Sequence, residues 1–330
     1  MKVKKPARIN ELDAKILRIL LKDGRTGFDD LAKACKVTKN VAWKRCKAME
    51  KTGIIKGATV LINYGHFGLG AIATLLISVK AEQIDRVMET IQQIGELNAF
   101  RQYNSVYNVR VYAWLRDLNE LDQVKQLIKQ RIPIMGLKTY VWAGVRNIPE
   151  NLNLTGILKH DDEQIEINPT HCSTNDEMSI DDLDKQIMEK LTVNGRASFT
   201  QIAKQIGVST ETVIKRYHNL KERGSIKVSI QINPNKIGYS SILDFNIAFA
   251  VPGSLSNTVM GSLTKIPNMI IITKTSGDYD IQGTAMIRDI SESFTIQDQI
   301  TRINGITKLE TSARKIPDIW PTPQQTISTF

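Results

Sequence analysis

Between residues 11 and 56 the apolar positions follow three short helical periods and then a strand period, and the same succession returns between residues 180 and 227. Leu12, Ile16, Ile19 and Leu20 keep the three–four spacing of one helical face, behind Asn10 as an N-cap, and Asp23-Gly24 ends that helix. "TGFDDLAKAC" predicts a short second helix. "KVT" turns the chain, and Thr38 caps a third helix that runs to about Thr52, where Gly53 stops it. Ala42, Cys46 and Met49 form its inward stripe, and "IIKGATVLIN" reads as strand and turn.

In the second copy Ser179 is the expected cap of "IDDLDKQIMEKL", Asn194-Gly195 its stop, and "FTQIAKQIG" the short second helix. Ser209 caps a third helix with Val213, Tyr217 and Leu220 inward, and "SIKVSIQIN" is the following strand. The third helices align at a displacement of 171 positions, which sets Val37, Arg45, Gly53, Ile55 and Lys56 under Val208, Arg216, Gly224, Ile226 and Lys227. Three helices and a β wing, with a short turn before the third helix, predict a winged helix-turn-helix. In that geometry the third helix enters the major groove. A three-helix bundle used only for packing or protein contact is the alternative.

Each head is followed by a second repeated order. "AIATLLISVK", a helix over 81–94, "LNAFRQYN", "YNVRVYAWL", a helix over 118–130 and "GLKTYVWAGV" predict β-α-β-β-α-β. "SILDFNIAFAV", 254–264, "NMIIITKTS", "YDIQGTAMI", 289–302 and "ITKLETSARKI" repeat it, an order typical of ferredoxin-like domains. The fold class is therefore α+β: two winged helix-turn-helix heads, each followed by a ferredoxin-like βαββαβ domain. Expected boundaries are a head over 1–64, an α/β domain over 65–147, an acidic linker over 148–178, a head over 179–236, an α/β domain over 237–316 and an extended tail over 317–330.

Charge changes this picture more than composition does. The chain carries a net charge of +10, yet residues 1–160 hold 27 Lys and Arg against 14 Asp and Glu, and residues 161–330 hold 17 against 20. Residues 1–56 alone hold 16 against 6, so a polyanion should meet the first head first. The second head, with 9 basic and 6 acidic residues over 180–227, leaves more room for a packing role. The three cysteines (Cys35, Cys46, Cys172) show no CxxC spacing, and Cys35 and Cys46, at apolar positions of predicted helices, read as reduced core thiols rather than metal ligands. No apolar run reaches the ~18 residues of a membrane span, and "MKVKKPARINELDAKIL" lacks the apolar core of a signal peptide. A cytoplasmic protein with no membrane, metal or cofactor is the expectation.

The phrases "LDKQIMEKLTVNGRASFTQIAKQIGVS", "KRYHNLKERGSIK", "INPNKIGY" and "TSGDYDIQGTAM", in this order, resemble the leucine-responsive/asparagine-synthesis regulator (Lrp/AsnC) family over nearly all of residues 180–316. Residues 11–146 resemble a more divergent second copy, through the opening helix, "KDGRTGFDDLAKACKVT" and "INYGHFGLG". A tandem departs from the family's usual single copy. The resemblance implies that the third helix of each head reads DNA, that the α/β domains build dimers and higher assemblies, and that small effectors, often amino acids, bind at interfaces of those domains. The loop helping to form that effector site corresponds to Ser276, Gly277, Asp278, Tyr279 and Asp280; a plain β-turn is the other reading of it. In the first half the stretch is Asn104-Ser105-Val106-Tyr107-Asn108, without the glycine or the acids, so amino-acid binding is not expected there.

The inward stripes leave Lys39, Asn40, Trp43, Lys44 and Lys47 outward on the first recognition helix, and Thr210, Glu211, Ile214, Lys215 and His218 on the second. With the caps Thr38 and Ser209 and the repeated Arg45 and Arg216, these are the candidate contacts to double-stranded DNA. Lysines near phosphates give affinity, while Asn40 suits adenine and Glu211 suits cytosine. Arg45 and Arg216 either hold a phosphate or pair with an acid inside the head, and Trp43 is expected to pack on a neighbouring helix. The two α/β domains are expected to pair as a pseudo-dimer, in the chain or between chains, with further homo-oligomers. Two other functions compete. The two-domain fold also resembles siroheme decarboxylases, which use histidine and basic side chains around an anionic tetrapyrrole; here only His66 adjoins an α/β domain, with His160 and His171 in the linker and His218 on a recognition helix. The other is an adaptor of the same fold that no longer binds DNA.

Overall fold

The computed structural model describes residues 9–94, 97–155, 180–250 and 256–322. Their parts form two compact units, one from residues 1–66, 147–239 and 316–330, the other from 67–146 and 240–315. The chain thus crosses between units four times, and the heads share one unit while the α/β domains share the other. The expected cap Ser179, the linker residues 156–178 with His160, His171 and Cys172, and the last eight residues of the tail lie outside the described residues.

In the unit of heads, α1 (Glu11–Lys22), α2 (Phe28–Cys35), α3 (Lys39–Lys51) and β1 (Ile55–Ile62) form the first copy. The second is α6 (Asp182–Val193), α7 (Phe199–Ile206), α8 (Thr210–Glu222) and β6 (Ile226–Ile232). Asn10 caps α1 by accepting from the Asp13 N–H at 2.8 Å. On α6 the cap is Asp181, which accepts from the Asp184 N–H at 2.9 Å, rather than the expected Ser179. The aspartate also places a charge at the positive end of the helix, where a carboxylate is favoured.

The heads are joined by their strands. β1 and β6 pair antiparallel from Ile55↔Ile232 to Ile62↔Ile226, with a bulge between Ile55 and Gly57 that absorbs the one residue by which β1 is longer. The loop after each first helix then locks onto the other head's strand. Gly24 N–H donates to Val228 and Gly195 N–H to Ala58, each at 2.8 Å. A Cβ on Gly24 would stand 2.8 Å from the Ser229 carbonyl carbon, and one on Gly195 2.9 Å from the Thr59 nitrogen, so only glycine permits this approach. The Ser229 hydroxyl donates to Leu21 O at 2.9 Å and the Thr59 hydroxyl to Thr192 O at 3.0 Å. Arg25 donates to Gly195 O (2.7 Å) and Ala197 O (3.0 Å), Arg196 returns a bond to Gly24 O, and the Arg25 guanidinium lies 4.1 Å from the Phe199 ring centroid. The backbone and hydroxyl contacts are reciprocal, as in a two-fold dimer built from one chain, while the Ala197 bond and the Phe199 stacking belong to Arg25.

Two segments return to this unit from the α/β domains. Leu152 and Leu154 are buried, and the Tyr239 hydroxyl donates to Asn153 O. The start of the expected extended tail is held down: Trp320 is buried and exchanges backbone hydrogen bonds with Ile232 at 2.8 and 2.9 Å.

The α/β unit is an eight-stranded sheet. Its elements are β2 (Ala71–Ser78), α4 (Ile84–Gln92), β3 (Leu97–Arg101), β4 (Val109–Leu115), α5 (Leu118–Arg131) and β5 (Gly136–Asn147), then β7 (Ser241–Phe249), α9 (Ser256–Leu263), β8 (Met269–Ser276), β9 (Ile281–Ile287), α10 (Ile290–Thr301) and β10 (Ile306–Lys315). The order β10-β7-β9-β8-β5-β2-β4-β3 places two ferredoxin-like sheets edge to edge. Tyr103 and Ala313 form a β-bridge between the far edges, so the sheet nearly closes on itself. In the first half, Ala73, Leu75, Ile77, Val109, Val111 and Ala113 meet α4 and α5 in an apolar core. On the opposite face Leu76 clusters with Tyr140 and Tyr279, and polar side chains meet across the halves: Arg110 approaches Asp244, and Gln102 bonds Ser312 at 2.8 Å.

Candidate nucleic-acid interface

Each recognition helix is fixed by its inner stripe and by one ion pair. Ala42, Cys46 and Met49 are buried on α3, and Val213, Tyr217 and Leu220 on α8. The Cys46 thiol, buried in this stripe, is pushed up to about 11 and stays protonated at neutral pH. Arg45 donates through Nε and Nη2 to both carboxylate oxygens of the buried Asp13, which raises its own pKa. Arg216 reaches Asp181 at 2.8 Å and Asp184 at 3.4 Å. Burial raises the Asp184 carboxyl, whereas the Asp184 N–H holds Asp181 below the usual range. Both arginines are therefore placed on acids of the first helix of their own head. There they brace the recognition helix, and a fork spent on a carboxylate is not presented to phosphate.

The caps are likewise engaged. Thr38 accepts from the Val41 N–H at 3.4 Å and Ser209 from the Thr212 N–H at 3.1 Å. Beyond them Lys39, Asn40, Lys44 and Lys47 are exposed on α3, and Glu211, Lys215 and His218 on α8, with Thr210 half-buried. Lys39 pairs with Asp29 (2.8 Å) and Lys47 with Glu50 (2.6 Å) at the surface. Such exposed pairs contribute ~0–1 kcal/mol and open readily to a stronger anion. His218 packs edge-on against Tyr217, with ring centroids 5.5 Å apart. Trp43 is 45% exposed and lines an open groove of about 350 Å³ with Phe28 of the neighbouring α2, Lys39 and Asn40.

The loop Ser276–Asp280 belongs to the α/β unit and lies against β5 of the first half. Gly277 has φ +148°, and a Cβ there would stand 2.8 Å from the Tyr140 ring, so the residue is required for both conformation and space. Ser276 is exposed and Tyr279 buried. Asp278 accepts from Lys138 at 2.7 Å; this bond depresses the carboxyl and raises the ammonium. Asp280 is used by the fold, accepting from the Phe249 N–H at 2.8 Å. Asn108 takes the equivalent place in the first half, bonding both N–H (3.1 Å) and C=O (2.6 Å) of Val79. Asn104 adopts φ +57°, so the first-half loop keeps one left-handed residue without a glycine.

His66 is turned to Ser225 (2.8 Å) and Asn63 (3.3 Å) in the unit of heads, and burial lowers its pKa. Among the described residues no group of three or more His, Cys, Asp and Glu side chains is placed to hold a metal ion. No helix among them is long and apolar enough to cross a membrane.

Comparison with known proteins follows this division. A winged helix-turn-helix DNA-binding family matches residues 9–56, and the AsnC-type helix-turn-helix domain matches residues 180–221. The HTH-type transcriptional regulator LrpA of Pyrococcus horikoshii is 35% identical over 132 residues, which is 39% of this chain and 92% of the relative. The HTH-type transcriptional regulator FL11 of Pyrococcus furiosus is 31% identical over 128 residues, 38% of this chain and 83% of the relative. Each relative has about the length of one copy of the repeat. Among solved structures, the siroheme decarboxylase NirDL superposes with a TM-score of 0.62 at 16% identity, covering 97% of this chain and 94% of that one. That likeness is one of fold, and it extends over both copies. With family matches on both heads and relatives aligned along most of their own length, the chain belongs to the Lrp/AsnC family of helix-turn-helix proteins.

Proposed function

We propose that this protein is a sequence-specific DNA-binding transcriptional regulator that carries two unlike reading heads in one chain. The observation that supports it best is the seam between the heads. β1 and β6 pair along their length, and reciprocal contacts of Gly24, Arg25, Gly195 and Arg196 lock the heads. The outer faces of α3 and α8 stay outside this seam, with Lys39, Asn40, Lys44 and Lys47 on one and Glu211, Lys215 and His218 on the other. A locked pair of helix-turn-helix heads suits two neighbouring half-sites, and unlike faces suit unlike half-sites. The more basic first head supplies most of the affinity. Arg45 and Arg216 support the helices from within, and Thr38, Ser209 and Thr210 bring the helix N-termini to the backbone.

An effector with an ammonium group, such as an amino acid, would meet Asp278 at the Ser276–Asp280 loop and must displace Lys138. Asp280 and Tyr279 build the loop rather than face the ligand. A reducing cytoplasm fits the protonated Cys46.

The test is DNA binding against salt for the whole chain and for variants with Lys39, Lys44 and Lys47, or Lys215 and His218, replaced by alanine. Removing one bond to phosphate should lower the log–log slope by about 0.9. A lower slope in both variants supports two reading heads; a lower slope only in the first makes the second half a regulatory module, or an adaptor. The full-length likeness to a siroheme decarboxylase sustains one other reading, an enzyme acting on an anionic tetrapyrrole. A chain that binds no duplex with salt dependence, but develops the absorption bands of bound siroheme, belongs to that reading.

A further inference from the structure

Resting on the regulator reading, we infer that Trp43 and Ile214 read the C5-methyl groups of thymine, one in each half-site. The two residues hold the same position in the repeat, 171 residues apart, and both are large apolar side chains left exposed, at 45% and 37%. Each stands fifth in its recognition helix, within the two turns that approach base edges in this geometry. The helices do not need them for packing, because Ala42, Cys46 and Met49, and Val213, Tyr217 and Leu220, already fill the inner faces.

Their surroundings select the occupant. Trp43 forms an open apolar groove with Phe28, and Lys39 and Asn40 line the same groove. Lys44 and Lys47 extend the basic surface along the helix. A surface that is apolar at its centre and cationic at its rim matches the thymine edge of the major groove, where a methyl group projects between flanking phosphates. Asn40, one turn before Trp43, suits the adenine of a neighbouring pair. On α8 the same place holds Glu211 ahead of Ile214, so the second half-site joins a thymine methyl to a cytosine amino group.

The experiment uses the full chain and duplexes selected by it from a random 30-base-pair pool. Each thymine of a selected duplex is replaced in turn by deoxyuridine, which removes one methyl and leaves base pairing intact. Deleting a methyl that the protein touches should weaken binding about fourfold, from ~0.8 kcal/mol per buried carbon. Trp43→Ala should abolish the thymine–uracil difference at one half-site and Ile214→Ala at the other. Because the change is made in the DNA, altered protein folding cannot mimic the parent result. Equal binding of thymine and uracil duplexes overturns the inference while leaving the regulator reading intact. Variants that keep the discrimination but lose self-association overturn it as well, and make the patch a protein contact. Failure of the chain to select any duplex removes the regulator reading and this inference together.

Discussion

Asp244 and Arg110 offer a sharp contrast, because removing either one changes the charge of the same buried cluster in opposite directions. Asp244 on β7 is buried; it accepts from Arg314 Nε and from the Thr284 hydroxyl, each at 2.8 Å, with Arg110 Nε at 4.0 Å. With the Gln102 amide turned to fit the network, its oxygen accepts from Arg110 Nε at 2.9 Å and its nitrogen donates to Tyr107 O at 3.1 Å. Arg110 Nη2 is buried with no hydrogen-bond partner. Two guanidiniums and one carboxylate give the cluster a charge of +1. Asp244→Asn raises it to +2 with little change of shape, and an uncompensated buried charge should cost about 3–5 kcal/mol. Arg110→Met brings the cluster to zero and removes the orphan donor. Replacing a charge that is not needed by apolar volume is often neutral or stabilising, so the loss should stay below about 1 kcal/mol. Urea unfolding followed by tryptophan fluorescence reads the difference. In a Trp43→Phe, Trp320→Phe background the remaining signals come from Trp114 and Trp142, and the Trp142 indole is bonded to Thr74 in the same unit. Equal losses in the two variants would refute the charge argument and leave only packing.

Other perturbations bear on the seam, on pH and on reading. Arg25→Ala removes two bonds to carbonyls and the stacking on Phe199, and should lower stability by about 2–3 kcal/mol in urea; Arg25→Lys should recover only part, since one ammonium cannot fork to both carbonyls. Gly195→Ala places a Cβ 2.9 Å from Thr59 N, so overpacking of about 1–3 kcal/mol should appear in unfolding, with weaker DNA binding because the heads shift. Burial acts to raise the Asp244 carboxyl, but Arg314, Arg110 and Thr284 outweigh it and hold the folded value below the ordinary one. Its contribution is therefore full above the unfolded value of ~3.9 and is lost as pH falls through the folded value, so Asp244→Asn should flatten the acid limb of a stability–pH curve. A chain with Thr210→Lys, Glu211→Asn, Ile214→Trp and His218→Lys presents the first reading face twice, and should select a near-palindrome where the parent selects two unlike half-sites.

Much of this architecture is legible in the apolar periods. The three helices and strand of each head, and the β-α-β-β-α-β order behind it, follow from spacing because every element buries one regular face. The partners of Arg45 and Arg216 are harder to read. Asp13, Asp181 and Asp184 sit where aspartate is already explained by helix starts, so their second use as braces leaves no separate mark. A stronger signal was present for the seam: Gly24-Arg25 before Phe28 returns as Gly195-Arg196 before Phe199, and this spacing has no purpose inside a single head. Trp43 illustrates the reverse case. An apolar residue on a helix is ordinarily assigned to packing, and only the filled inner stripe shows that Trp43 lies outside the core of the head, 45% exposed beside Phe28.

The pseudo-two-fold is respected in the seam and broken in the α/β interior, and the difference has a physical reason. Backbone pairing of β1 with β6 and the glycine contacts ask for shape alone, so duplicated sequences satisfy them equally from either side. In the interior, Arg110 on β4 corresponds in the repeat to Gln282 on β9, and Asp244 on β7 corresponds to Thr74 on β2. A first half facing another first half would bring Arg110 to a threonine; a second half facing another second half would bring Asp244 to a glutamine. The first pairing buries Arg110 without a counter-ion, at the several-kcal/mol cost argued for Asp244→Asn, whereas in the second Asp244 keeps Arg314 of its own half. Only unlike halves set Arg110 beside a carboxylate. A regulator assembled from identical chains cannot hold such a lock without also placing its charged partner on the other copy. Once two copies share one chain, the interior is free to specialise for unlike pairing, and the outer faces of α3 and α8 are free to diverge with it.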